Sequence, residues 1–435
     1  MKAIILSAGH GKRMKSKLPK ALHPIMGVPI LHRVIESCLG AGVDDITVVI
    51  GQGGEEIQKA TPHNVRYAWQ HEQLGTGHAV LCAKEFILPD DQVLVLCGDT
   101  PLITPDFLER LIKFQKRTGA NGVVTSTPVP DPTGYGRVIT KPSGEFEAII
   151  EHRDLHVSQL HINHINPAVY LFTGRELLHG LELVGNDNNQ KEYYLTDVPR
   201  IMLEDGFKVA VYHDTDYLQF LGINSQKQLA EAAAVMRSRI IDRHFENGVL
   251  ILDPATVYIE DNVEIEAGVT LHPGVILNGS SYIAAGAVIG AYSVISDSRV
   301  GEGCTVGPFA HLRNGAVVGD NCRIGNFVEI KKSTIGNGTK AAHLAYIGDA
   351  EIGNNVNFSC GAITVNYDGR NKHLTVVEDD AFIGCNVNLV APVTVRQGAF
   401  VAGGSTIVEE VPQDALAIAR QRQTNKEGFA KKLKK

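Results

Sequence analysis

The sequence predicts an α/β chain in which a Rossmann-like N-terminal domain is joined by a long helix to a C-terminal parallel β-helix. Three observations predict it. Up to about residue 224, short apolar runs rich in Val and Ile alternate with helical periods, the pattern of a mostly parallel sheet with helices on both faces. Residues 226–246, QKQLAEAAAVMRSRIIDRHFE, keep a helical pattern without Gly or Pro. From about residue 250 an apolar residue returns every six positions, the beat of a parallel β-helix whose coils hold three hexads each. The expected boundaries are 1–225, a linker helix at 226–248, and 249–435.

In the first part KAIIL, DITVVIG, QVLVLCGD, NGVVTST and VAVYHD read as strands bounded by turn residues. ILHRVIESCLGAG, GHAVLCAKEF and TPDFLERLIKFQKR read as helices. The last has Thr104 as its N-cap and Pro105 at its first helical position, where the missing N–H costs nothing. In the second part the beat runs through Ile259, Ile265, Leu271, Leu277, Ile283, Ile289 and Ile295. After a five-residue step it resumes through Val300, Val306, Leu312, Val318, Ile324 and Ile330, and again through Ile383, Leu389, Val395, Val401 and Ile407. One repeat cannot bury its apolar residue alone; stacked coils bury a continuous column. The beat slips at KAAHLAYIGD (340–349), and VNYDGRNKHLT suspends it between Thr364 and Val376, enough chain for a loop over a groove.

The formal charge of −7 argues against a general binder of nucleic acid or of anionic membranes. Seven cysteines, an odd number without any C-x-x-C spacing, suggest neither a disulfide framework nor a zinc knuckle and fit a reducing cytosol. No run approaches the ~18 apolar residues of a membrane span, and MKAIILSAG is too short for a signal-peptide core.

LSAGHGKRMKSKLPK (6–20) follows the first strand. It is neither G-x-G-x-x-G, because position 14 is Met14, nor a Walker-A loop. Gly9 and Gly11 with Lys12, Arg13, Lys17 and Lys20 nearby suit a triphosphate, which backbone N–H groups and cations can hold. Asp99 ends the strand of VLVLCGDTPL, where ligands of open α/β sheets bind. Beside a phosphate loop it becomes a candidate Mg²⁺ ligand, although a carboxylate there is as often a turn residue. Gly75, Thr76 and Gly77 make a tight polar loop ahead of a helix, suited to a base or a sugar. His156, His161 and His164 lie along a strand-like alternation with no carboxylate or cysteine to complete a zinc set.

In the second part His343 and Tyr346 stand three residues apart at the slipped beat, with Arg313, Lys331 and Lys332 as cations for a phosphate or similar anion. A histidine taken at random in such a turn is more often structural. The other role open to such a histidine is that of a base working near neutral pH.

LSAGHGKRM…LPK, EQLGTGHA, CGDTPL, DPTGYGRV, IIEHRD, GINSQKQL, the hexads, GPFAHLRNGA, GNFVEIKKS, KAAHLAYIGDA and VNYDGRNK occur in this order over nearly the whole chain. Together they resemble the bifunctional N-acetylglucosamine-1-phosphate uridylyltransferase/glucosamine-1-phosphate N-acetyltransferase family, GlmU. The resemblance implies a nucleotidyltransferase domain, a linker helix, a left-handed β-helix and a homotrimer in the cytoplasm. It places Leu6, Ala8, Gly9, Arg13 and Lys20 in the nucleotide site, the last three on the UTP phosphates, with Gln70, Gly75 and Thr76 on uracil and ribose. Asp99 and Asn224 would bind Mg²⁺. Gly136, Glu151, Asn166 and Asn224 would hold the N-acetylglucosamine phosphate. In the β-helix His343 would be the base. Arg313, Lys331, Tyr346, Asn357 and Lys372 would bind glucosamine-1-phosphate, and Asn366, Tyr367, Cys385, Gly403 and Arg420 would line the acetyl-CoA site. The basic tail, RQRQTNKEGFAKKLKK, would close over coenzyme A in a neighbouring subunit.

The chain departs from the family pattern at Pro167 and Ala168, where Thr-Gly is common, at Cys385 for serine and at Gly403 for alanine. A Pro has no N–H to offer a sugar, and a thiol is a weaker hydrogen-bond partner than a hydroxyl. The alternatives are an enzyme of nucleotidyl transfer alone, with the β-helix used for assembly, and a non-catalytic trimeric scaffold.

Overall fold

In the computed structural model the described residues are 1–9 and 11–433, and the side chain of Lys12 lies outside them. The chain divides into two compact units, Met1–Met236 and Arg237–Lys435. The long helix Gln226–Glu246 carries the division.

The first unit is built on one sheet. Its order is Arg66–Trp69, Asp45–Ile50, Lys2–Ser7, Gln92–Cys97, Tyr170–Thr173, Gly122–Pro128, His164–Asn166, Gly136–Thr140, Phe146–Ile150, with Val209–His213 also paired to Gly122–Pro128. The sheet is mixed rather than mostly parallel. Parallel pairing joins the early strands and Val209–His213. The strands between residues 136 and 173 all pair antiparallel. Gly136–Thr140 and Phe146–Ile150 are too close in the chain for the crossover helix that parallel neighbours need, whereas Tyr170–Thr173 reaches back to Gln92–Cys97. Alternate residues of the central strand face opposite layers. Ala3 and Ile5 pack with the helices Ile30–Gly40 and Pro105–Thr118. Ile4 packs with Thr76–Cys82, Gly174–Leu183 and Val198–Glu204. The Thr104 hydroxyl accepts the N–H of Phe107 at 3.3 Å, as its N-cap position requires. The helix expected over GHAVLCAKEF stops at Cys82 and resumes as a 3-10 turn, Lys84–Phe86.

The second unit stacks short strands into three parallel sheets of ten, nine and eight strands, the left-handed β-helix architecture. Each strand pairs with the one a coil away, as Leu277 does with Ile295 and Ile295 with Leu312. Every hexad residue named above is buried. Such burial contributes roughly 1.5–3 kcal/mol per side chain. At the edges between faces, residues in the left-handed backbone region recur once per coil. Phe327, Leu344, Asn386 and Gly404 form one such column, with φ of 55°, 45°, 54° and 75°.

The apparent slip at residues 340–349 is not a break. Ala341 and Ile347 occupy the inward column and are fully buried, and the strands Lys340–His343 and Tyr346–Gly348 pair in register with the coil before. An alanine in the column disguised the beat, and Ile347 to Ile352 is a five-residue step. The interruption after Thr364 is real. Residues 366–374 leave the stack, closed by a bridge between Tyr367 and Lys372, and the stack resumes at Thr375–Val377.

Candidate active sites

Two clusters form in the first unit. In one, the Lys20 ammonium donates to Asp99 Oδ2 at 2.6 Å and to Asn224 Oδ1 at 3.1 Å. Leu6, Gly9 and Gly98 line the same cavity as Lys20 and Asp99, and Gly9 faces open space. Ala8 is buried beneath, its carbonyl pressed against Gly51. Asp99 and Asn224 thus present two oxygens to one cation, which suits a hard divalent metal that takes one or two protein oxygens and completes its shell with phosphate and water. Arg13 is exposed on the turn Lys12–Met14 and stands outside this contact network.

In the other cluster, Gly136 lies against Glu151, so that a Cβ there would stand 3.5 Å from Glu151 Oε2. Glu151 accepts from the Thr196 hydroxyl at 3.3 Å, and burial pushes its carboxyl above the usual range. Asn166 donates to Tyr170 Oη at 2.7 Å and accepts the N–H of Ala168 at 3.1 Å. Ala168 takes a left-handed φ of 58°, a conformation glycine adopts at less cost. Cys97 links the two clusters. Burial, then Asp99, pushes its thiol up to about 12, so it is no nucleophile.

The loop named for the base and sugar is pinned from behind. Gln70 is buried and donates to the Gly75 carbonyl at 3.0 Å. Gly75 has φ 115°, and a Cβ there would meet the Tyr193 carbonyl oxygen at 2.5 Å. The Thr76 hydroxyl accepts the N–H of Leu195 at 3.0 Å and so serves the fold.

In the β-helix the named residues gather on two adjacent edges. Arg313, Lys331 and Gly348 are register partners on stacked coils. Arg313 pairs with Glu329 at 2.7 Å. Asp349 is buried and binds Lys331 at 3.3 Å and Asn366 at 2.5 Å, with Lys332 at 3.8 Å. Burial opposes its ionisation, yet the hydrogen bonds from Lys331 and Asn366 hold its carboxyl below the usual range. Lys372, from the excursion, lies beside Lys331, which pushes its ammonium down. Two adjacent ammoniums in this place suit a dianion. Tyr346 folds over Gly348 on the face that leads to this edge.

His343 stands on the other edge, exposed, with Nδ1 2.8 Å from Asn326 Oδ1 on the coil before. Cys385 and Gly403 precede left-handed residues of the same edge column. Gly403 packs on the Cys385 carbonyl, and Arg420 reaches over Gly404. Tyr367 is exposed on the excursion, its hydroxyl on the Gly369 carbonyl at 2.8 Å. Asn357 lies apart from the Lys331 cluster, on the face with Lys340, and binds Ser359 at 2.8 Å. The tail from residue 420 is exposed and ends in the helix Phe429–Leu433. Sequence reasoning missed Thr196, Asn326 and Asp349. The last two could have been found by counting one 17-residue coil from His343 and from Lys332.

Residues 3–189 match the family described as MobA-like NTP transferase domain, and residues 297–332 match the bacterial transferase hexapeptide family of six repeats. A relative from Exiguobacterium sp. (strain ATCC BAA-1283 / AT1b), named Bifunctional protein GlmU, is 48% identical, covering 99% of this chain and 99% of its own. Relatives of the same name from Geobacillus sp. (strain WCH70) and Halalkalibacterium halodurans are each 45% identical, over 99% of this chain and 98% of theirs. The chain belongs to the GlmU family. It is a bifunctional transferase of small-molecule substrates, a nucleotidyltransferase and a hexapeptide acyltransferase in one chain. No helix among the described residues is long and apolar enough to cross a membrane.

Proposed function

We propose that this GlmU chain makes UDP-N-acetylglucosamine in two steps, acetyl transfer in residues 249–435 and uridylyl transfer in residues 1–225. In the first step the amine of glucosamine-1-phosphate attacks the thioester carbonyl of acetyl-CoA. His343 takes a proton from the attacking nitrogen, the C–S bond breaks, and the departing sulfur takes that proton from the imidazolium, so that coenzyme A leaves as its thiol. Lys331, Lys372 and Arg313 hold the phosphate, Tyr346 lies under the sugar, and Asn357 supports the pocket wall. Asn366 and Tyr367 border the acetyl group. Cys385, Gly403 and Arg420 line the path of coenzyme A, and the basic tail closes it from a neighbouring subunit of a homotrimer.

The observation that carries this reading is the layout of one β-helix face. Its two edges carry the paired cations and the histidine, with Tyr346 between them. An amino sugar phosphate offers a dianion to the paired cations and an amine to the base. The cations fix one end and present the other to the base, which is the main work of catalysis by positioning.

In the second step a phosphate oxygen of N-acetylglucosamine-1-phosphate attacks the α-phosphorus of UTP, and pyrophosphate leaves. Gly9, Arg13 and Lys20 hold the triphosphate, with Leu6 and Ala8 forming the floor. Gln70, Gly75 and Thr76 shape the base and ribose pocket. Gly136, Glu151 and Asn166 hold the sugar. Asp99 and Asn224 would hold Mg²⁺, which supplies charge neutralisation on the phosphates. Both co-substrates, and seven cysteines without a disulfide, fit a cytoplasmic enzyme.

The test is thiol release from acetyl-CoA with and without glucosamine-1-phosphate, beside pyrophosphate release from UTP with N-acetylglucosamine-1-phosphate. Both reactions are expected, each dependent on its own sugar phosphate. Pyrophosphate release alone would reduce the β-helix to a scaffold.

A further inference from the structure

We propose that Asn326 is the positioning residue of the acetyl-transfer base. Its side-chain oxygen accepts the Nδ1–H of His343, which fixes the tautomer and leaves the Nε2 lone pair free to take the substrate's proton. The inference rests on the reading of His343 as the base and adds the group that makes it one.

The geometry comes from the coil. The strands Arg323–Asn326 and Lys340–His343 pair in parallel register, with Asn326 opposite His343. Register partners on adjacent parallel strands stand ~4.8 Å apart with their side chains pointing the same way. The distance from His343 Nδ1 to Asn326 Oδ1 is 2.8 Å, a short and direct hydrogen bond. The backbones are locked behind it. The Leu344 N–H donates to the Asn326 carbonyl at 3.0 Å. At Gly325 a Cβ would lie 1.8 Å from the Ala342 carbonyl oxygen, so the two strands can approach this closely only with glycine there. Both side chains leave the coil just before left-handed residues, Phe327 and Leu344. Asn326 is half-buried while His343 is exposed, which leaves the far nitrogen, Nε2, open to a ligand.

The chemistry follows from the two states of neutral imidazole. One ring nitrogen carries the proton and the other carries the lone pair, and the partner of the first decides which is which. An acceptor at Nδ1 holds the proton there. A neutral acceptor does so without the rise in basicity that a neighbouring carboxylate brings to an imidazole. The other ionisable groups on the stacked strands are Arg323 and Lys340, which are register partners at the far end of the strand pair. Asn357–Phe358, on the next coil, contributes none.

The test compares Asn326→Ala, Asn326→Asp and His343→Ala by acetyl-transfer kinetics over pH, with pyrophosphate release as the control for an intact chain. Asn326→Ala is expected to lower kcat for acetyl transfer at least tenfold, with KM for glucosamine-1-phosphate and for acetyl-CoA changed less than threefold. Asn326→Asp keeps an acceptor in place and adds a charge. It is expected to restore kcat at high pH and to move the acid limb of the profile to higher pH by about one unit. The inference is overturned if His343→Ala abolishes acetyl transfer while Asn326→Ala keeps its kcat. It is also overturned if Asn326→Asp leaves the acid limb where it was, a result that does not depend on the alanine variant folding. Acetyl transfer retained by His343→Ala would instead remove the base assignment itself.

Discussion

The two halves of this chain assemble their sites by opposite means. In the first unit Lys20, Asp99 and Asn224 meet from three distant stretches of chain, and Gly136, Glu151, Asn166 and Thr196 come from four more. Each position depends on how loops pack over strand ends. In the β-helix each coil adds residues to an edge: Arg313, Lys331 and Gly348 along one, with Lys332 and Asp349 at its corner, and Asn326, His343, Cys385 and Gly403 along another. A converging site is held by tertiary packing and fails as a unit. A stacked site is held by the backbone ladder, and only side chains in direct contact, such as Lys331, Asp349 and Asn366, depend on one another.

That contrast can be broken or sharpened by substitution. The largest effect is expected at Asp99. Asp99→Asn removes the carboxylate that faces the Lys20 ammonium at 2.6 Å and is expected to lower pyrophosphate release by about 10²–10³-fold, leaving thiol release within twofold. Equal losses in both assays would mean that the halves do not act independently.

Next comes Gly75→Ala, which places a methyl group 2.5 Å from the Tyr193 carbonyl oxygen on a backbone with φ 115°. The first unit is expected to lose about 3 kcal/mol, read by denaturant unfolding, and to lose nucleotide turnover with it. Asp349→Ala is the counterpart in the stack. It leaves Lys331 buried without its partner and is expected to cost about 3 kcal/mol of stability in the β-helix. It should also raise KM for glucosamine-1-phosphate, because Lys331 and Asn366 both lose their anchor. Unchanged KM and stability would break the account of that edge.

A comparable change comes from pH. His244 is buried at the end of the long helix with neither ring nitrogen hydrogen-bonded. Burial, with Arg243 alongside and against the pull of Asp261, pushes it down to about 4. Unfolded, it titrates near 6.5, so between these values the unfolded state binds more protons. Stability is therefore full above about pH 6.5 and falls as pH drops toward 4, by up to about 3 kcal/mol. His244→Leu should flatten that part of the unfolding profile. The smallest effect is expected from Cys385→Ser, which restores a hydroxyl on an exposed corner and should change KM for acetyl-CoA by less than threefold.

Legibility in the sequence followed the same contrast. The hexad residues were readable because each fills one inward position per face, and all are buried. The excursion after Thr364 was readable because thirteen residues separate the inward Thr364 from the inward Val377 where six are due. Ala341 misled, since an alanine in the column looks like a missing beat. In the first unit the strands and the Thr104 cap were legible from local chemistry. The antiparallel pairing of Tyr170–Thr173 was not, because its partners Gln92–Cys97 and Gly122–Pro128 lie far along the chain. The site residues were reached through ordered motifs resembling one family. Thr196, which joins Glu151 only by tertiary packing, has no local signal.

The most direct test of the account is His343→Ala measured for both reactions on one preparation. Thiol release that falls by two or more orders of magnitude, with pyrophosphate release unchanged, is the predicted result. Thiol release that persists at the native rate would contradict it.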